Sequence, residues 1–117
     1  MFFKRIGKHL RMREHLQSLI QALQESGEVT LAARIEDVIS GSEHELDVFL
    51  TSNELWGGAG SIADQAGITG TAGRTEGRRR IERVLIQLGN EQIARRNVNP
   101  RTAMWVDVFT KWEKAGI

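Results

Sequence analysis

Apolar residues in this chain recur at intervals of three and four, and this spacing constrains the fold more than any other feature. In the segment 9–26 the pattern forms one stripe: Met12, Leu16, Leu19, Ile20 and Leu23. Residues at these intervals share one face of an α-helix, because the helix has about 3.6 residues per turn. Gly27 follows the stripe as a glycine that ends a helix does. The segment therefore predicts a first amphipathic helix.

Two further helices are predicted in the next part of the chain. The segment 28–40 has a second stripe, which ends before Gly41: Leu31, Ile35, Val38 and Ile39. Ser42 and Glu45 then form an S-x-x-E capping box, which predicts that a third helix begins at Glu43. Its core-facing residues are Leu46, Phe49 and Leu50, and we expect it to end near 51–53.

The second half of the chain repeats this logic. Ser61 and Asp64 predict a short helix through about Ala66, and the glycine-rich segment 67–77 is predicted to be the longest loop. The segment 78–96 resumes helical spacing, with Gly89 inside it as a possible site of a kink. Asn99–Pro100 should open the last helix, whose apolar stripe is Trp105, Val108, Phe109 and Trp112.

These elements predict an all-α fold. We expect an irregular bundle of four to five main helices with one Gly-rich loop and a short extra helix, since no segment alternates with a period of two. A chain of 117 residues provides one hydrophobic core, so residues 1–117 are predicted to form a single helical domain. Residues 1–8 are a basic end without a helix cap, and the sequence leaves open whether they are ordered or disordered.

Composition excludes several classes of protein. The chain has no cysteine, so disulfides, thiolate nucleophiles and zinc–thiolate sites are impossible. Its apolar runs are far shorter than the roughly 20 residues that cross a bilayer, so no membrane association is expected. The basic N-terminus has no apolar segment typical of a signal peptide. We therefore expect a cytoplasmic location.

The stretch "LWGGAGSIADQAG", residues 55–67, raises the question of nucleotide binding. Its segment 58–63 fits G-x-G-x-x-A, but that fingerprint works after a parallel strand, and no strand is predicted here. A Walker loop would need a lysine that the stretch does not have. The pattern instead favours glycines that serve backbone geometry around a packed Trp56, whereas an exposed Trp56 would be an anchor for a partner.

The same stretch carries a resemblance. It is similar to an aromatic-GG-x-GS-h-x-D element, in which h is apolar, of small uncharacterised bacterial helical proteins. The matching positions are Trp56, Gly57, Gly58, Gly60, Ser61, Ile62 and Asp64. Ala59 stands where methionine is usual, and Ala63 replaces an asparagine. The resemblance implies a small helical protein of a type sometimes encoded near toxins, with an immunity role, and it implies no catalytic residues.

The sequence contains little that indicates a catalytic site or a metal site. His44 lies among acidic residues, but a zinc site needs at least three convergent ligands, and His9 and His15 do not share a helical face well. Paired carboxylates would need a pocket that shifts their pKa values before they could act as acid and base. We expect a non-catalytic protein without a metal or cofactor.

Charge is segregated along the chain, although the formal net charge is only +1. Between residues 14 and 66 the charged residues are acidic except for one arginine, Arg34. An acidic helical face would attract and hold a basic protein, so we expect an immunity-type inhibitor that occludes a toxin or another basic protein. The predicted partner-binding residues are Glu36, Asp37, Glu43, Glu45, Asp47, Glu54 and Trp56.

An alternative function uses the basic segments. Arginines at the start of a helix oppose its dipole, and a site that breaks a local rule is a reasonable place to look for function. The candidate phosphate-binding residues are Arg74, Arg78, Arg79, Arg80 and Arg83. They would suit a small nucleic-acid-associated or regulatory protein, but equally they could pair with the acidic second and third helices. The sequence leaves the oligomeric state open.

Overall fold

The regular structure that the computed structural model describes consists of helices. The model describes residues 2–67 and 76–116, with side chains described for 10–66 and 76–116. Its seven helices are α1 (Phe2–Glu25), α2 (Val29–Ser40), α3 (Glu43–Leu50), α4 (Asn53–Trp56), α5 (Ile62–Gly67), α6 (Glu76–Ala94) and α7 (Thr102–Ala115). Within the described ranges there is no strand, so the predicted all-α fold is confirmed. Residues 2–8, whose order the sequence left open, belong to α1.

Two long helices organise the packing. Helix α1 packs against α2 and α6, and α6 packs against α7 on its other side. Leu19 of α1, Leu85 of α6 and Phe109 of α7 are fully buried. The apolar stripes that predict these helices are therefore the surfaces that form the core, since burying apolar area drives the association.

The first helix ends as its glycine predicts. Gly27 has φ = +81°, a left-handed conformation that residues with a Cβ rarely adopt. Its N–H donates to the carbonyl of Gln24 at 3.0 Å, and the N–H of Glu28 donates to the carbonyl of Leu23 at 2.8 Å. This pair of bonds is a Schellman motif, which satisfies carbonyls that the helix leaves open.

Serine caps start three of the short and middle helices. The hydroxyl of Ser42 accepts from the N–H of Glu45 at 3.1 Å, and that of Ser61 accepts from the N–H of Asp64 at 3.0 Å, which confirms both predicted caps. Helix α4 was not expected from the sequence. It begins after Ser52, whose hydroxyl accepts from the N–H of Leu55 at 3.2 Å.

The last two helices differ in detail from their prediction. Helix α6 begins at Glu76, two positions before the predicted start, and residues 68–75 of the predicted glycine-rich loop lie outside the described residues. Helix α7 begins at Thr102 rather than after Asn99. Asn99 still caps the preceding turn, because its Oδ1 accepts from the N–H of Arg101 at 2.9 Å.

The buried face of α7 is also rotated from the predicted stripe. Of the four predicted residues Phe109 alone is fully buried, whereas Trp105, Val108 and Trp112 are half-buried. Thr102 and Val106 complete the buried face instead. The large Trp105 ring lies beside Phe109, with centroids 5.5 Å apart, and so it covers the core from its edge.

Candidate functional site

Trp56 is a buried structural anchor. Its side chain has no exposed surface, and its indole N–H donates to Oε1 of Gln92 at 2.9 Å. The indole N–H of Trp105 donates to the carbonyl of Trp56 at 3.1 Å, which fixes the backbone as well. Its prediction as a partner-binding residue is therefore wrong, because the ring and its one polar group are already used inside the core. The packed alternative is correct.

The glycines after Trp56 serve backbone geometry, as the sequence favoured. Gly60 has φ = +86°, and its N–H donates to the carboxylate of Asp64 at 2.9 Å. The hydroxyl of Ser61 donates to the carbonyl of Gly57 at 2.9 Å. The N–H of Gly60 therefore already donates to a carboxylate of the chain, whereas in a phosphate-binding loop such an N–H would donate to the ligand.

The predicted acidic face is divided by α3 into two flanks. On one flank Arg34 forms a bidentate pair with Glu54, with Nε–Oε2 at 2.6 Å and Nη2–Oε1 at 3.0 Å. This hydrogen bond raises the pKa of Arg34 above its ordinary value, and the charges of Glu54, Asp37 and Glu45 act in the same direction. One of the predicted carboxylates is therefore paired with this guanidinium, and two more act on it electrostatically.

The other flank of α3 faces α1. Nη2 of Arg13 lies 3.0 Å from Oε1 of Glu43, and its Nη1 donates to the carbonyl of Ile39 at 2.7 Å. Asp47 follows Glu43 one turn along α3, on the same side. Glu36 lies elsewhere, at the seam between α1 and α2, where it accepts from Nε2 of Gln24 at 3.1 Å.

Between the two flanks lies the outward face of α3, which carries Val48. Its side chain is 54% exposed, and His44, one turn earlier, is exposed too. Val48 was not among the predicted contact residues. The signal was present, because Val48 is apolar but falls outside the 46/49/50 stripe that faces the core.

A cleft of about 680 Å³ opens beside this face, between α1, α3 and the turn after α6. Its described lining residues are Met12, His44, Asp47, Val48, Leu50, Thr51, Arg95 and Asn97. Met12 and Leu50 are buried and form an apolar floor, whereas the charged and polar side chains come from its two opposite walls. Clefts of this size with a few polar groups over apolar surface are typical of ligand sites.

The wall at the end of α6 is cationic. Glu91 lies between two arginines, with Oε2 at 2.9 Å from Nε of Arg95 and Oε1 at 3.1 Å from Nε of Arg11. The hydrogen bond from Arg95 lowers the pKa of Glu91, and the charges of Arg11, Arg95 and His15 lower it further. Arg95, of these three residues, is among the described lining of the cleft, so it is the cation that this wall presents there.

The arginine patch at the start of α6 is engaged with acidic residues. Nη2 of Arg78 lies 2.9 Å from Oε1 of Glu28. Arg80 is ion-paired with Glu25, and Nη2 of Arg83 lies 2.7 Å from Oε1 of Glu76. Arg79 lies in the same turns of α6, and Arg74 lies outside the described residues. The pairs of Arg78 and Arg80 link α6 to the junction between α1 and α2, whereas that of Arg83 lies within α6. They favour the alternative in which these arginines pair with acids of the same chain.

Two further features concern metal binding and membrane insertion. Among the described residues no three histidine or acidic side chains converge as a metal site would require. None of the described helices combines the length and apolarity needed to cross a membrane. No protein-family model, curated protein or solved structure matches the chain.

Proposed function

We propose that this chain is a non-catalytic protein-binding module whose partner presents a basic surface. The observation that carries the proposal is Val48, a valine 54% exposed on α3 with carboxylates on both flanks. Protein interfaces typically place apolar contact area at their centre and polar groups at the rim. The outward face of α3 has this composition on a small scale.

The flanking carboxylates give the surface its charge preference. Glu45 and Glu54 lie on one side of Val48, and Glu43 and Asp47 lie on the other. Such groups speed the encounter with a positively charged partner and disfavour an acidic one. Because some of them are paired with arginines of this chain, we expect them to contribute more to association rate and selectivity than to affinity.

The specific form we propose is an immunity-type inhibitor that occludes a toxin, as the resemblance of residues 55–67 implies. In this proposal the tryptophan and glycines of that stretch hold the surface in place rather than touch the partner. Trp56 is bonded to Gln92, whose amide also donates to the carbonyl of Leu50 at the end of α3 at 2.6 Å. The stretch thereby fixes one end of the helix that carries Val48.

Affinity capture with matched baits tests the proposal. The wild-type chain, Val48→Arg and Val29→Arg would be immobilised and exposed to nuclease-treated lysate of the source cell. Val29 is 64% exposed at the start of α2, so its substitution adds the same charge at a distant exposed valine. We expect a basic protein on the wild-type and Val29→Arg baits, and recovery reduced at least about tenfold on Val48→Arg.

Three outcomes would contradict the proposal. One is equal recovery of the captured protein on all three baits, because the α3 face would then not be the contact. Another is an acidic captured protein. The third is recovery of nucleic acid alone when nuclease is omitted, which would support the alternative that uses the arginine patch.

A further inference from the structure

We propose that the cleft between α1, α3 and the turn after α6 binds a small zwitterionic ligand with an apolar body, of the class of amino acids and short peptides. The proposal does not depend on the protein-binding function, since it concerns a ligand that enters the cleft of the isolated chain. It rests on three features of the lining: an apolar floor, a cationic wall and an anionic wall on the opposite side.

The floor of the cleft is suited to aliphatic groups. Met12 and Leu50 close its base and are almost entirely buried, and Val48, which is exposed, provides the accessible apolar surface at the rim. Methionine adapts its shape to irregular neighbours, because its side chain is unbranched and flexible. An aliphatic ligand body in the cleft would therefore cover the side chain of Val48 and remove it from water.

The wall after α6 can bind a carboxylate. Arg95 uses Nε to pair with Glu91, and its Nη atoms make no hydrogen bond to any described residue. The side-chain amide of Asn97, which also lines the cleft, likewise makes no hydrogen bond within the described ranges. A guanidinium with open donors beside an amide is a suitable arrangement for a carboxylate.

The opposite wall can bind an ammonium group. Asp47 of α3 lines the cleft, and a carboxylate has about four acceptor positions, so it can accept from a ligand in addition to its existing interaction. The imidazole of His44 lies on the same wall. A ligand with a single charge would be attracted by one wall and repelled by the other. A zwitterion can place its carboxylate at Arg95 and its ammonium group at Asp47.

Chemical-shift titration of the isotope-labelled protein tests the proposal with defined probes. The probes are L-leucine, the dipeptide dileucine, N-acetyl-leucine, which lacks the ammonium charge, and leucine amide, which lacks the carboxylate. We expect saturable shifts in the amides of 44–51 and 95–97 with at least one zwitterionic probe. Each charge-blocked analogue should bind at least about fivefold more weakly. Comparison of leucine with dileucine distinguishes a free amino acid from a peptide as the source.

Matched variants locate the charges. Arg95→Gln and Asp47→Asn should each weaken binding by about tenfold, because each removes one charge-assisted hydrogen bond. Arg80→Gln removes an ion-paired arginine of α6, outside the cleft, so it should bind like the wild type. Arg95→Lys keeps the charge but loses the planar guanidinium group. Its affinity for the ligand should therefore lie between those of the wild type and Arg95→Gln.

The proposal is overturned if none of the four probes shifts these amides, if a blocked analogue binds as well as the zwitterion, or if Arg80→Gln weakens binding as much as Arg95→Gln. The amide spectra of the free variants show whether each is folded before any probe is added.

Discussion

The indole N–H of Trp56 donates to Oε1 of Gln92 at 2.9 Å, and neither side chain has exposed surface. The amide nitrogen of Gln92 donates to the carbonyl of Leu50 at 2.6 Å and to that of Asn97 at 2.9 Å. One buried amide thus joins α4, the end of α3 and the turn after α6. Because Leu50 lies in the floor of the proposed ligand cleft and Asn97 in one of its walls, this amide also holds that wall against the floor.

Removal of this amide should be costly. Gln92→Leu leaves the indole N–H of Trp56 and two carbonyls without their partner, so we expect the free energy of unfolding to fall by about 3 kcal/mol or more. Gln87→Leu alters an exposed residue of the same helix and should change it by less than about 0.5 kcal/mol. Urea denaturation of both variants measures the difference, and similar effects of the two would contradict the role of Gln92.

Gly89 of α6 is predicted to be required by its neighbours in α4 and α7. A Cβ at this position would overlap Cγ2 of Val106 and lie 3.2 Å from Cη2 of Trp56. Gly89→Ala should therefore destabilise the fold by about 1–3 kcal/mol, although alanine favours helix by about 1 kcal/mol. Adding Val106→Ala should make the Gly89→Ala step less costly. Thermal or urea denaturation of the four proteins of this double-mutant cycle checks the coupling, and simple additivity would contradict it.

The role of Gly89 could not be predicted from the sequence, although most of the helices could. Helical periodicity predicted α1, α2, α3 and α6 because each buries a regular stripe, and Ser42 and Ser61 marked starts through a local hydrogen bond. A glycine within a helix has no such local signature. Whether it marks a kink or a close approach depends on Val106 and Trp56, which are distant in sequence.

Two residues in the left-handed region predict opposite changes in stability. Arg96 has φ = +56°, where a Cβ costs about 1–2 kcal/mol, so Arg96→Gly should raise the free energy of unfolding by about 0.5–1 kcal/mol after the entropy cost of glycine. Gly27→Ala, at φ = +81° with open space around it, should lower it by about 1 kcal/mol. Denaturant titration of both variants gives the signs, and a loss of stability in Arg96→Gly would contradict the argument.

The candidate site was less predictable than the fold. The acidic residues of α2 to α4 were identified, but the sequence could not show that Glu54 and Glu45 gather at Arg34 while Glu43 reaches Arg13. That division depends on which helix faces each flank of α3. The cleft was not predicted at all, since Met12 and Arg95 are far apart in sequence and meet only through packing of the helices.

His15 should make stability depend on pH. Partial burial lowers its pKa below the ordinary 6.5, and Arg11 contributes in the same direction, against the opposing charges of Glu91 and Glu14. A histidine whose pKa is lower in the folded state binds its proton more readily when the chain unfolds. Its contribution should therefore be absent well above pH 6.5 and should reduce stability progressively as the pH falls from 6.5 towards the lowered value.

His15→Gln removes this dependence, so the stability of the variant should fall less steeply than that of the wild type between about pH 8 and pH 5. Glu91, whose pKa is lowered from 4.5, loses its stabilising contribution as the pH falls through more acidic values, below this window. Gln17→Asn, which changes an exposed uncharged residue of α1, the helix of His15, is the matched control and should follow the wild-type slope. Urea denaturation at each pH measures the slopes. Equal slopes for His15→Gln and the wild type would mean that burial of His15 does not favour its neutral form.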